Sequence, residues 1–247
     1  ISSDKMDYYK KCLDYEIEYN QILINEQRCK SAVLMPWLDE IIHNENILNS
    51  VEQILGSNFF CWDTQLWLKE PNDNKFVGLH QDATHWNFKQ KDGVIVWLAF
   101  DNVTEDQGPV MYKIGSHIHG QLQHNDIKDT DNLLRRGQTV VGDFNNYKTI
   151  MANIQKGCIS IHSPYIVHGS SFNLSKKKRI GYSLQYISTL NEPIIKDNPE
   201  YATLVSGVDK YNYIEHSPRP GTDRNINLIN WEIAFRTQRS NYLKINK

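Results

Sequence analysis

The chain is short of the features that most readily assign a function. Its 247 residues include only four cysteines, Cys12, Cys29, Cys61 and Cys158. They form no CxxC and no close pair, so there is no disulfide framework to read, and a reduced, intracellular and therefore cytoplasmic setting is expected. No apolar run reaches the roughly 18 residues of a membrane-spanning helix. Charge of one sign is also scarce: the net charge of -2 argues against a nucleic-acid or anionic-membrane surface. The densest basic run is Lys176 to Arg179, and a run of four reads first as a solvated turn. The opening "ISSDKMDYYKK" is polar and charged, unlike a secretory signal. There is no internal repeat, low-complexity tract or linker. A single domain over residues 1–247 with a real core is expected. Nothing in the sequence fixes the oligomeric state.

What is present changes period along the chain. Residues 3–55 read as helical. Met6, Tyr9, Leu13 and Ile17 recur at helical spacing behind a serine cap, and a second helix is predicted from Pro36 to a stop at Gly56. From Phe59 the text turns to short β-rich runs: "FFCWDTQLWLKE", "GVIVWLAFD", "PVMYKIG", "QTVVGDF", "CISIHS", "YIVHGSSF" and "RIGYSLQYIS". Turn signals separate them. This pattern predicts an all-β core with a helical flank, a sandwich or barrel spanning about 59–190. Residues 119–137 are polar and lack a strand pattern, as in a lid or binding loop. Residues 191–247 are predicted to be polar and irregular before a closing helix, "INLINWEIAFRTQRSNYL".

Nine histidines need sorting: His43, His80, His85, His117, His119, His124, His162, His168 and His216. Two HxD triplets occur, where chance alone gives about 0.6, so the triplet by itself is a weak signal. His43 falls inside the second predicted helix, where it and Glu45 face apart. His124 and Asp126 fall in the polar insert, where a solvated loop is the plainer reading. In "GLHQDATHW" an extended backbone would point His80 and Asp82 to one face, free to converge on one ion. A facial triad needs one more imidazole, with His162 and His168 the candidates, and leaves three coordination positions open, as in non-haem Fe(II) oxygenases. A lone buried histidine is more often a hydrogen-bonded core residue. Eleven residues past His168, a hairpin would bring Arg179 close to it, where a guanidinium could hold a carboxylate.

The order HxD, an 86-residue gap from Asp82 to His168, and then Arg179 resembles the phytanoyl-CoA dioxygenase family of Fe(II)- and 2-oxoglutarate-dependent oxygenases. "LWLKEP", "HQDATHW", "VIVWLAFDNVTEDQGPVMYKIGSH", "DNLLRRGQ" and "IVHGSSFNLSKKKRIGYSLQYIS" read like its segments, in its order. The resemblance implies a double-stranded β-helix (a cupin-like jelly roll) behind N-terminal helices. It implies that His80, Asp82 and His168 ligate Fe(II), and that Arg179 and Ser170 hold the far carboxylate of 2-oxoglutarate. Lys69 and Gln65 would be further cosubstrate-binding groups, with Trp97 forming a wall of that pocket. His85, Trp86 and His162 are expected to face the substrate, with His162 as readily a support for the metal ligands. The insert and the segment near His216 and Arg219 are further candidates for pocket lining. Two departures stand out: Ile114 replaces the proline of a "PGSH" turn, and His85 stands where relatives often carry Tyr.

Halogenating relatives replace the metal carboxylate by Ala or Gly. With Asp82 in place, the resemblance implies an O2-dependent dioxygenase that hydroxylates a small polar molecule or secondary metabolite, releasing succinate and CO2. Two other classes compete. A catalytically inactive jelly-roll binding protein has no need for His80, Asp82, His168 and Arg179 together. A zinc hydrolase could use the same ligands but not Arg179.

Overall fold

The computed structural model describes residues 1–23 and 25–245. Ile24, within the expected helical stretch, and the last two residues lie outside the described residues. Three helices come first: α1 (Ser3–Glu18), α2 (Pro36–Ile42) and α3 (Glu45–Leu55). The strands follow as β1 (Phe59–Lys69), β2 (Val77–His80), β3 (Gly93–Ala99), β4 (Val110–Lys113), β5 (His124–Asp126) and β6 (Gln138–Val140). Next are β7 (Thr149–Met151), β8 (Ile159–His162), β9 (His168–Ser170), β10 (Arg179–Ser188), β11 (Tyr201–Ser206) and β12 (Glu215–His216), before the closing helix α4 (Arg224–Ile245).

The strands form a six-stranded sheet, β12-β11-β1-β10-β3-β8, a four-stranded sheet, β2-β9-β4-β7, and a β5-β6 pair. The architecture is a mostly β core with four helices, as in the cupin-like 2-oxoglutarate oxygenases, and the sheets are not closed into a barrel. Strand β3 shows how the large sheet is shared. Val94, Val96 and Leu98 point into the main core with Leu13, Trp37, Ile41 and Val51 from the helical layer, while Ile95 and Trp97 belong to apolar clusters on the other face. The period of two in "GVIVWLA" thus divides one strand between the core and the site. Burial of this main cluster is the chief force joining helices to sheet.

Ser2 caps α1 by accepting from the Lys5 amide, and Met6, Tyr9 and Leu13 are buried along it. The helix expected from Pro36 to Gly56 is two helices. His43 closes α2 with its Nδ1 at 2.8 Å from the Asp39 carbonyl, and Asn44 takes an extended backbone before α3. Asn competes for backbone hydrogen bonds and favours such junctions. His43 therefore sits at a helix end, not inside a helix.

Two further expectations are corrected. The insert contains strand β5, paired with β6. The tail expected to be irregular from 191 supplies β11, which pairs with β1 and extends the large sheet beyond residue 190. Among the described residues no helix is long and apolar enough to cross a membrane.

Candidate active site

The small sheet places two of the candidate ligands. In the β2–β9 pairing His80 lies directly opposite His168, and their ring centroids are 4.3 Å apart. Asp82 follows after one extended residue, Gln81, and opens a short 3₁₀ turn, not a strand. Asp82 Oδ1 lies 3.5 Å from His80 Nε2, and Oδ2 lies 3.6 Å from His168 Nε2. One donor atom from each of the three residues falls within 4.8 Å of the others.

Supporting hydrogen bonds fix which nitrogen faces inward. His80 Nδ1 is 2.9 Å from the Gly78 carbonyl and His168 Nδ1 is 3.1 Å from the Ile166 carbonyl. A carbonyl only accepts, so each Nδ1 carries the proton and each Nε2 is left as a lone-pair donor. Burial, with His80 close by, pushes His168 down to about 3, so its imidazole is neutral. Burial works against ionisation of Asp82, but the imidazoles of His168, His162 and His80 outweigh it and hold the carboxyl well below its usual range. Two imidazole nitrogens and one carboxylate suit a divalent first-row metal such as iron.

Gln81, between the ligands, is fully buried. Its side chain donates to the carbonyls of Gly120 and Tyr165 and accepts from the Leu122 amide. Its backbone N–H donates to His124 Nε2 at 3.0 Å. His124, expected in a solvated loop, is thus a brace for the ligand loop.

A second cluster lies next to the first. Lys69 and Arg179 are cross-strand neighbours in the β1–β10 register, and both are buried. Lys69 Nζ donates to Ser170 Oγ at 2.7 Å and to the Ser171 carbonyl. Arg179 Nη2 donates to Ser170 Oγ at 3.4 Å, its guanidinium lies over the Trp97 ring at 5.4 Å, and its Nε has no partner. Among the described residues neither cation has an ion pair with a carboxylate. Burial, and then Arg179, push the Lys69 ammonium down to about 6. Burial lowers Arg179 to about 10, which leaves it charged. Like charges directly opposite on two strands oppose folding, so Lys69 is held back from its charged form beside Arg179, and an anion between the two would favour the charged amine.

The route that brings Arg179 to His168 is not a hairpin. The two residues lie in different sheets, on β9 and β10, and Arg179 reaches the β9 strand through Ser170. Gly181 makes room there: a Cβ on it would lie 1.9 Å from the Trp97 ring.

The triad, Arg179, Ser170, Gln65, Trp97, His85, Trp86 and His162 all border one cavity of about 240 Å³. Trp86 is held by Nε1–H donation to Gln185 Oε1 at 2.9 Å. His85 Nε2 is 2.8 Å from the Gln138 amide nitrogen, and its ring meets Tyr242 edge-on. Burial pushes His85 down to about 3, so it is neutral. His162 Nε2 lies 3.6 Å from Asp82 Oδ2. The insert contributes Leu133, Leu134 and Arg135 to the wall. His216 and Arg219 do not reach it; they pair instead with Asp209 and Asp39. The tail contributes through α4, with Phe235, Gln238, Arg239 and Tyr242. Their i, i+3, i+4, i+7 spacing places them on one helix face. Trp62, at the end of "FFCW", is a further wall residue that sequence reasoning passed over.

The two-sheet β fold carries a His-Asp-His set that could hold one metal ion, the arrangement found in mononuclear non-haem metal proteins. The profile of the phytanoyl-CoA dioxygenase (PhyH) family matches residues 18–181, about two-thirds of the chain, and the chain belongs to that family. No match was found among curated proteins. Solved structures share the fold. The non-heme monooxygenase ThoJ, in its apo form, is 22% identical over 99% of this chain and 92% of its own, with a TM-score of 0.87. The epimerase SnoN, in complex with Fe3+, alpha ketoglutarate and nogalamycin RO, is 15% identical over 91% and 89%, with a TM-score of 0.65. EctD from S. alaskensis is 14% identical over 88% and 81%, with a TM-score of 0.63.

Proposed function

We propose that the protein is an Fe(II)- and 2-oxoglutarate-dependent dioxygenase that hydroxylates a small polar molecule or secondary metabolite. The observation that carries this reading is the placement of two buried basic side chains with no carboxylate partner among the described residues, Lys69 and Arg179, both bonded to Ser170 Oγ on the strand that bears His168. A metal alone explains the triad but not this basic pair. A dicarboxylic keto acid would explain both, with Arg179, Lys69 and Ser170 holding its far carboxylate. Family membership and the iron- and keto-acid-bound structures of the same fold agree with this.

Bound iron and 2-oxoglutarate supply the oxidising chemistry; the protein positions and shields them. His80 and His168 offer Nε2 lone pairs because their Nδ1 protons are engaged by backbone carbonyls. Asp82 offers a carboxylate that stays ionised in a buried setting. Arg179 and Ser170 would hold the far carboxylate. Lys69 would take up a proton beside it, since burial and Arg179 otherwise keep the amine largely neutral. Trp97 forms the wall against which Arg179 stacks. The substrate enters the remaining cavity between His85, Trp86 and the α4 face. Its mixed aromatic and polar lining suits a small molecule with both kinds of surface.

The test is a substrate screen by Fe(II)-dependent succinate release, with product mass read on each hit. Hydroxylation predicts a product heavier by one oxygen atom. An unchanged mass, as in epimerisation, or a loss of two hydrogens, as in ring closure, would overturn the hydroxylase part. No metal-dependent succinate release with any compound, or with none added, would overturn the whole reading.

A further inference from the structure

His162 ends β8 and stands opposite Ile95 in the β3–β8 register. Its side chain is 5% exposed, and neither ring nitrogen has a hydrogen-bond partner. Tyr112 and His168 flank the ring at centroid distances of 4.9 and 4.8 Å. Tyr112 is fixed at its far end by a 2.9 Å hydrogen bond between its hydroxyl and Ser160 Oγ. A neutral imidazole always carries one N–H, and a buried N–H without an acceptor is costly. The structure aims His162 Nε2 at Asp82 Oδ2, 3.6 Å away, which is an approach and not yet a bond.

Two arrangements would satisfy this ring once the site is loaded. It could become a fourth protein ligand, or it could donate to Asp82. A fourth ligand would reduce three open coordination positions to two, and a bidentate keto acid would fill both. The residues whose donor atoms converge are His80, Asp82 and His168, without His162. Ligating carboxylates are themselves hydrogen-bonded as a rule, and such partners set ligand orientation.

We propose that His162 is a positioning residue: its Nε2–H donates to Asp82 Oδ2 and leaves Oδ1, the oxygen nearer His80, to ligate the metal. Asp82 is thereby held through one oxygen, and the remaining positions stay open. The inference rests on the metal-centre reading above, but not on the identity of the substrate.

The first test uses wild-type protein loaded with Zn(II) and labelled with ¹⁵N-histidine. Two-bond ¹H–¹⁵N correlation spectra, with the His162 ring assigned by its loss in His162→Gln, should show Nε2 protonated and Nδ1 bare. A bare Nε2, metal-bound or not, overturns the proposal. The second test is metal affinity, followed by Co(II) absorption. His162→Phe should bind about ten- to a hundredfold more weakly, and His162→Gln, which keeps a donor, within about threefold of wild type. Unchanged affinity in His162→Phe overturns the proposal, and the spectra on wild-type protein decide the matter if that variant does not fold. If the wild-type protein binds metal but not 2-oxoglutarate, the oxygenase reading fails while the role of His162 is still decided by the same spectra.

Discussion

Binding of 2-oxoglutarate should draw about one proton from solution, and Lys69 is the reason. Its side chain is fully buried and directly opposite Arg179, and its ammonium is pushed down to about 6 by burial and by that guanidinium. At about pH 7.5 a group with a pKa near 6 is only ~3% protonated. A carboxylate set between the two residues reverses the balance and favours the charged amine. Calorimetric titration of Zn(II)-loaded protein with 2-oxoglutarate, in two buffers of different ionisation enthalpy, reads the proton count from the slope. Wild type should take up about one proton at pH 7.5 and about a quarter of one at pH 5.5, where ~75% of Lys69 is already protonated. Lys69→Met should take up none and bind roughly 10- to 100-fold more weakly, the loss of one charge-assisted hydrogen bond. Zero uptake by wild type at pH 7.5 would refute the reasoning, because the buried pair would then not be the carboxylate site.

Three further outcomes follow from the same geometry. Arg179→Met should weaken 2-oxoglutarate by roughly 2–4 kcal/mol in the same titration, with metal affinity unchanged, because it strands a buried carboxylate. Gly181→Ala forces a Cβ into the Trp97 ring and should cost about 1–3 kcal/mol in denaturant unfolding, with weaker cosubstrate binding because Arg179 stacks on that ring. The apoprotein should gain stability as pH rises. Lys69 is about 6 when folded and about 10.4 when unfolded, so across that window the unfolded chain holds more protons and its contribution climbs. His168, at about 3 when folded and about 6.5 when unfolded, acts the same way on the acid side. Urea midpoints measured from pH 5 to 9 check this, and Lys69→Met should flatten the upper half.

Spacing pointed to His80 and Asp82 as a pair but left His162 and His168 open as the second imidazole; the set of His80, Asp82, His168 and Arg179 came from the resemblance to the family's motif order. The sheet assignment of Arg179 was not legible, since a hairpin and a crossing between facing sheets both bring residues eleven apart together. The Tyr201–Ser206 strand escaped because β11 is short and is stabilised by its neighbour β1, not by its own pattern. The α2–α3 break turns on two residues, His43 and Asn44, inside an otherwise periodic run. His124 looked like a solvated loop residue because its acceptor role depends on Gln81, forty-odd positions away. The α4 wall was visible as a helix, but which face it turns to the cavity depends on packing that periodicity alone does not give.

The central claim is that one metal and one keto acid share this site, and the most direct measurement is an anaerobic titration of the apoprotein with Fe(II) and then 2-oxoglutarate, followed by visible absorption. The account predicts a weak charge-transfer band that saturates with 2-oxoglutarate and is lost in His168→Ala. Bound iron without any such band would contradict it and leave the family likeness as one of fold alone.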